Sequence, residues 1–213
     1  YFEPAYIDEL AIIMRWSFEY MQLPKGGSVY LRLSTRPIDQ LSRDMGTDLS
    51  KQIISGAYWN KVPEPGAELA IVYCGAVAPE VQAAYEELSE DVPGLGLLSI
   101  TSPDRLHADW LDAKRARRRG RPEALAEIEQ ILQILMPDAA LVTVIDGHPA
   151  TLSWLGAVNG HRVYPLGVET FGQSGDINDL YKHYGLDTEA ILEAAARACL
   201  RRFSASGHVP RAA

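Results

Sequence analysis

Leu69-Ala70-Ile71-Val72-Tyr73, closed by Gly75 and followed by a helical pattern over residues 77–88, decides the fold. Five apolar residues in a row, three of them β-branched or aromatic, mark a strand buried on both faces. The same alternation recurs on either side. Leu97-Leu98-Ser99-Ile100 reads as a strand, residues 103–119 as helical or irregular, and residues 122–135 as an amphipathic helix. Leu141-Val142-Thr143-Val144-Ile145 is a third strand, ending at Asp146-Gly147. A helix over 151–158, a short strand Arg162-Val163-Tyr164-Pro165-Leu166 and two further helices close the chain. Strands that alternate with helices pair in parallel through right-handed crossovers. The expected fold class is therefore α/β: three layers, a mostly parallel sheet of about five strands, and helices on both faces.

The start of the chain reads differently. Residues 4–21 form one expected helix, with Pro4 in its first turn, Asp8 and Glu9 at the positive end of the dipole, and Leu10, Ile13, Met14 and Phe18 at helical spacing. Pro24-Lys25-Gly26-Gly27 stops it, and Val29-Tyr30-Leu31-Arg32-Leu33 reads as a half-buried strand. One helix and one strand cannot bury a core, so residues 1–36 read as the tail of a domain that begins upstream. Residues 37–65, with Pro37, Gly46, Pro63 and Pro65 among them, read as a linker holding a short helix over 49–55. Residues 66–213 are the α/β domain.

At 213 residues, 47% hydrophobic and 23% charged, the composition is that of a globular protein. The net charge of −8 opposes a general nucleic-acid or anionic-membrane surface, because phosphate binding needs concentrated positive charge. Cys74 and Cys199 have neither metal nor redox spacing, and no apolar run approaches the roughly 20 residues that span a bilayer. A reduced, cytoplasmic setting is expected.

No motif completes a catalytic constellation, and no catalytic, cofactor-binding or metal-ligating residue is assigned. Asp146-Gly147-His148 follows a buried strand, where α/β ligands bind, yet the simpler role for Asp146 is to cap the next helix. Gly94-Leu95-Gly96 precedes a strand instead of following one, which excludes a dinucleotide loop. Lys114, Arg115, Arg117, Arg118, Arg119 and Arg121 form the strongest charge cluster, able to grip a phosphate or an acidic partner, or simply to solvate a helix end. They lack acidic partners at helical spacing, so an exposed, mobile cluster that holds no phosphate is expected. His107, His148, His161, His183 and His208 are scattered, and Cys74 reads as a small buried hydrophobe. The acid pairs Glu86-Glu87 and Glu127-Glu129 read as solvated faces.

Gly167-Val168-Glu169-Thr170-Phe171-Gly172-Gln173-Ser174-Gly175-Asp176, then Leu180-Tyr181-Lys182-His183-Tyr184-Gly185-Leu186-Asp187, resembles the closing segment of the C-terminal domain in the transketolase and 2-oxo acid dehydrogenase E1 superfamily. Tyr1-Phe2-Glu3-Pro4-Ala5-Tyr6 and the following helix resemble the end of that superfamily's pyrimidine-binding domain, and Ile53-Ile54-Ser55-Gly56-Ala57-Tyr58 resembles its lead into the C-terminal domain. Leu98-Ser99-Ile100-Thr101-Ser102 with Leu106 is closer to homodimeric pyruvate dehydrogenase E1 than to transketolase. The resemblance implies a homodimer using thiamine diphosphate and Mg²⁺ held outside this chain, with none bound by this stretch alone, and a lipoyl-bearing E2 component as possible partner. The pyruvate-type His-Pro is replaced by Arg117-Arg118-Arg119-Gly120-Arg121-Pro122, a departure from that pattern. Three readings stand: the structural and dimer-supporting C-terminal part of an E1 component, the same part of a transketolase, or a stand-alone non-catalytic dimerisation module. Around Phe171, Gly167, Gly172 and Gly175 are expected to take positive φ, and the Phe171 ring to bury against the end of the sheet. Phe171, Gln173 and Ser174 are the candidates for an interface or an approach to the active site.

Overall fold

The computed structural model describes residues 1–206, with side chains through Arg201; His208 and the end of the expected 66–213 domain lie outside the described residues. The elements run α1 (Ile7–Met21), α2 (Thr47–Ser55), β1 (Ala57–Lys61), β2 (Ala67–Cys74), α3 (Ala78–Leu88), β3 (Gly96–Ile100), α4 (Pro103–Arg118), α5 (Glu127–Leu132), β4 (Leu135–Ile145), α6 (Ala150–Ser153), β5 (Arg162–Leu166), α7 (Ile177–Tyr184) and α8 (Thr188–Ser206). One five-stranded sheet forms in the order β1-β3-β2-β4-β5. All neighbours pair in parallel except β1, which runs antiparallel to β3. This is the expected α/β architecture.

The period of two in the strands explains the three layers. Ala70, Val72 and Cys74 of β2 turn to one face with Leu98, Ile100, Leu141 and Ile145, where α4, α5 and α6 cover them through Leu106, Ile128 and Leu152. Leu69, Ile71 and Tyr73 turn to the other with Leu97, Val142 and Val144, beneath Val81 of α3 and Ile191 and Ala195 of α8. Thr143 is the exception in β4. It is buried, with a hydroxyl that has no hydrogen-bond partner. An unpaired buried hydroxyl costs desolvation without return. Thr143→Val, which keeps the shape, is therefore expected to stabilise the chain by about 1 kcal/mol, raising the melting temperature by roughly 2–4 °C. A lower melting temperature for the valine variant would show that the hydroxyl has a partner.

Several sequence expectations change. Helix α1 begins at Ile7, not Pro4; Glu9 reaches back to the Ala5 and Tyr6 amides and fixes the start there. Residues 29–33 do not form a strand but an isolated parallel bridge, Phe2 to Leu31, closed by the Phe2 amide on the Tyr30 carbonyl and the Arg32 amide on the Phe2 carbonyl. Residues 37–65 hold β1 as well as α2. The helix expected over 122–135 shrinks to α5: Arg117 Nη1 takes the Ala124 carbonyl at 2.8 Å, and the chain extends into β4 from Leu135.

Candidate functional site

Chain order along the sheet reverses between β2 and β4: from β2 the chain steps to β3, then crosses to β4 on the other side. Ligands of open α/β sheets bind at the carboxyl ends of the strands beside such a reversal. Here that edge carries a cleft of about 270 Å³, lined by Glu3, Arg32, Ser34, Thr35, Ala76 and Asp146. Glu3 is buried and accepts from the Tyr1 hydroxyl and Arg32 Nη1. Its carboxylate lies where a Cβ on Gly75 would stand, 2.5 Å from Oε1, so only glycine, here at φ 71°, admits it. Burial pushes the Glu3 carboxyl up, against the opposing pull of Tyr1 and Arg32.

Asp146 does not cap the next helix. Pro149 takes the position before α6, and Asp146 Oδ2 instead accepts from the Tyr181 hydroxyl of α7 at 3.3 Å. His148 is exposed, with Nδ1 accepting from the Ala150 amide at 3.1 Å. Cys74 is fully buried and its thiol is pushed well up by burial, which leaves it protonated and inert. His161 is also buried, and burial holds its imidazole below the usual value, in the neutral form. No nucleophile lies beside a base here. The cleft is a polar junction that seats the first residues of the chain on the sheet.

Three arginines extend that junction. Arg36 makes a bidentate pair with Glu80 at 2.8 and 2.6 Å and stands 5.2 Å over the Tyr181 ring. Arg43 pairs with Asp8 at 2.7 and 2.8 Å between the rings of Tyr6 and Tyr58, 5.0 Å from each. Arg105 covers Phe2 and Trp16 and donates Nε to the Ile54 carbonyl at 3.0 Å. Tyr58 also donates to the buried Glu9. These partners lie tens of residues apart, and no local spacing signals them.

The expected site residues fall elsewhere. Phe171 is not buried against the sheet: it is 98% exposed, and Gln173 and Ser174 are exposed beside it. The backbone around it leaves through Gly167, whose neighbour Val168 donates to the Gly147 carbonyl at 2.8 Å, and the Phe171 carbonyl accepts from the Tyr184 hydroxyl at 3.3 Å. The apolar ring therefore projects from a tethered loop. A second exposed apolar surface lies on α1, where Ile7, Met14, Phe18 and Met21 share one face. Among the described residues, no group of three or more His, Cys, Asp or Glu side chains is arranged to hold a metal, and no helix is long and apolar enough to cross a membrane. Asp146 is engaged by the Tyr181 hydroxyl, and no Mg²⁺ role is assigned to it.

A three-layer α/β domain with a mostly parallel sheet, carrying an exposed aromatic loop at its carboxyl edge, defines the class of module. Residues 56–187 match the transketolase-like TK C-terminal domain, and the chain belongs to that family. Over 199 residues it is 26% identical to the pyruvate dehydrogenase E1 component of Escherichia coli (strain K12), covering 91% of this chain and 22% of that protein. It thus spans 22% of the length of the curated relatives it matches. The fold is shared with the inactive β4 tetramer of a split-gene transketolase, at TM-score 0.61 and 19% identity over 93% of this chain and 57% of the other. It is shared equally with the transketolase of Campylobacter jejuni subsp. jejuni NCTC 11168, at TM-score 0.62 and 17% identity over 92% and 26%.

Proposed function

We propose that this chain is the C-terminal part of a thiamine diphosphate-dependent 2-oxo acid dehydrogenase E1 component of the pyruvate type, and that it supports structure and dimerisation without taking a chemical step. The exposed Phe171 on a tethered loop carries this reading, since a fully exposed phenylalanine among glycines has its use in a contact outside the chain. Phe171, Gln173 and Ser174 meet the partner subunit or the pyrimidine-binding domain, and the apolar face of α1 packs on the remainder of that domain. The identity with the Escherichia coli E1 component supports the pyruvate-type assignment. In this reading thiamine diphosphate and Mg²⁺ belong to the rest of a cytoplasmic homodimer, where the cofactor supplies the electron sink. A lipoyl-bearing E2 component is its acyl acceptor. The second reading, a transketolase C-terminal part, is supported by the solved transketolases that share the fold.

Phe171→Ala in the full-length protein tests the proposal. The isolated chain is expected to keep its stability within about 0.5 kcal/mol, as for a surface change, while the dimer constant weakens about tenfold, the effect of a modest interface anchor. An unchanged dimer constant by sedimentation would remove the interface role.

A further inference from the structure

The basic cluster that runs from the end of α4 into the following turn divides into paired and unpaired cations. Six of the 20 lysines and arginines stand in the eight positions from Lys114 to Arg121, among none of the 28 acidic residues. The structure sorts them. Lys114 lies 4.1 Å over the Trp110 ring. Arg115 pairs with Asp112, three residues back, at 2.5 Å, so an acidic partner at helical spacing does exist. Arg117 makes a bidentate pair with Glu129 at 2.8 Å on both arms and also takes the Ala124 carbonyl. Glu129 is buried, not on a solvated face, and it caps α5 by accepting from the Ala126 amide at 2.9 Å. Arg117 accordingly holds the Glu129 carboxyl below the usual carboxylate range.

These bonds fasten the turn between α4 and α5. The Gly120 amide donates to Arg117, the Arg121 amide to Ala116 and the Ala124 amide to Arg121, at 3.1, 3.1 and 3.2 Å, and Gly120 takes the left-handed φ of 85° that ends the helix. Arg118, Arg119 and Arg121 remain at the apex. All three are exposed, and none has an acidic partner among the described residues. The bland account is that cations complement the negative end of the helix dipole. It covers Arg115, Arg117 and Arg118, which lie in the last turn, and leaves Arg119 at the cap and Arg121 beyond it without a role.

We propose that this apex is a docking surface for a short acidic protein segment, with Arg118, Arg119 and Arg121 as the recognition residues. Three guanidinium forks on a fastened turn suit two or three carboxylates, because each fork can bind one bidentately and little ordering remains to be done on binding. Their local excess of positive charge on a chain of net charge −8 also orients an acidic partner toward this one turn. The same net charge disfavours a nucleic acid, whose long run of phosphates needs more positive charge than three arginines supply.

The test uses the whole chain and a fluorescein-labelled hexaglutamate peptide, titrated by anisotropy at low ionic strength. The charge-reversed variant R118E/R119E/R121E is expected to weaken binding by a factor of ten or more, with unchanged circular dichroism and a melting temperature lower by only a few degrees, the cost of a reversed charge at the helix end. The control variant Lys61→Glu, on exposed β1 residue Lys61, is expected to change it less than twofold. Equal losses in both variants would reduce the effect to general electrostatics and overturn the proposal. So would retained binding by the triple variant, or tighter binding of a six-nucleotide single strand than of the peptide.

Discussion

Arg43→Met is expected to destabilise the chain by about 3–5 kcal/mol in urea unfolding at neutral pH, the cost of removing one partner from a buried ion pair. Methionine keeps much of the bulk between the Tyr6 and Tyr58 rings, so packing changes little. The charge is what disappears. Arg43 is 14% exposed and is the cation nearest Glu9, which is fully buried and accepts from the Ala5 amide, the Tyr6 amide and the Tyr58 hydroxyl. Burial already pushes the Glu9 carboxyl up, and loss of Arg43 pushes it further. A carboxyl whose folded value lies above its unfolded value favours folding when protonated. The variant therefore regains stability as pH falls through the raised Glu9 value. Asp8 works in the same direction: in the parent chain burial raises it, but Arg43 outweighs this and holds it low, and that benefit is lost as pH falls through its folded value. The gap between parent and variant should narrow toward acid. Glu9→Gln in the Arg43→Met background, which removes the stranded charge, should recover part of the loss. A loss under about 1 kcal/mol with no pH dependence would mean that the pair contributes only surface-type electrostatics.

That cluster also marks where the sequence stops being legible. The central strands could be read because burial on both faces writes itself into consecutive positions such as 69–73 and 141–145. β1 could not: Ala57-Tyr58-Trp59-Asn60-Lys61 has no clean alternation, and it becomes a strand only because it meets β3 in antiparallel register, Ala57 against Ile100. Residues 29–33 show the converse, a strand-like pattern with no ladder to join. Arg43, Glu9 and Tyr58 come together across 34 and 49 residues, so their contact exists only after the sheet and α1 have packed. Asp146 looked like a cap because caps are local, whereas its partner Tyr181 lies 35 residues on. Phe171 failed for a related reason. An aromatic ring among glycines suggests burial, yet the loop leaves β5 away from the sheet and the ring stays exposed.

Gly167→Ala is expected to cost about 1–3 kcal/mol, the range for forcing extra volume into a packed site, and to lower the melting temperature by roughly 2–4 °C per kcal/mol. Left-handed backbone is not the reason. Among the described glycines, positive φ belongs to Gly56, Gly66, Gly75, Gly94, Gly120, Gly160 and Gly185, and not to Gly167, Gly172 or Gly175, where the sequence would permit it. Gly167 is glycine because the chain leaving β5 passes hard against the turn that leaves β4. A Cβ there would stand 2.5 Å from the Gly147 carbonyl oxygen, 2.8 Å from Pro149 Cδ and 2.9 Å from Pro149 N. These are backbone and ring atoms, with no side chain to swing aside. The 2.8 Å bond from the Val168 amide to that same Gly147 carbonyl would have to lengthen as the chains part. Gly147 supplies the control on the other side of the contact. A Cβ on Gly147 would meet nothing nearer than the Ile145 side chain at 3.7 Å, so Gly147→Ala should stay within about 0.5 kcal/mol of the parent. The displaced segment is the loop that carries Phe171. If that loop is the contact proposed for the full-length protein, Gly167→Ala weakens the dimer beyond what its stability loss explains, and Gly147→Ala leaves it alone. Equal melting temperatures for the two variants would show that the β4 and β5 exits have room to spare, and that the loop is not held by this contact.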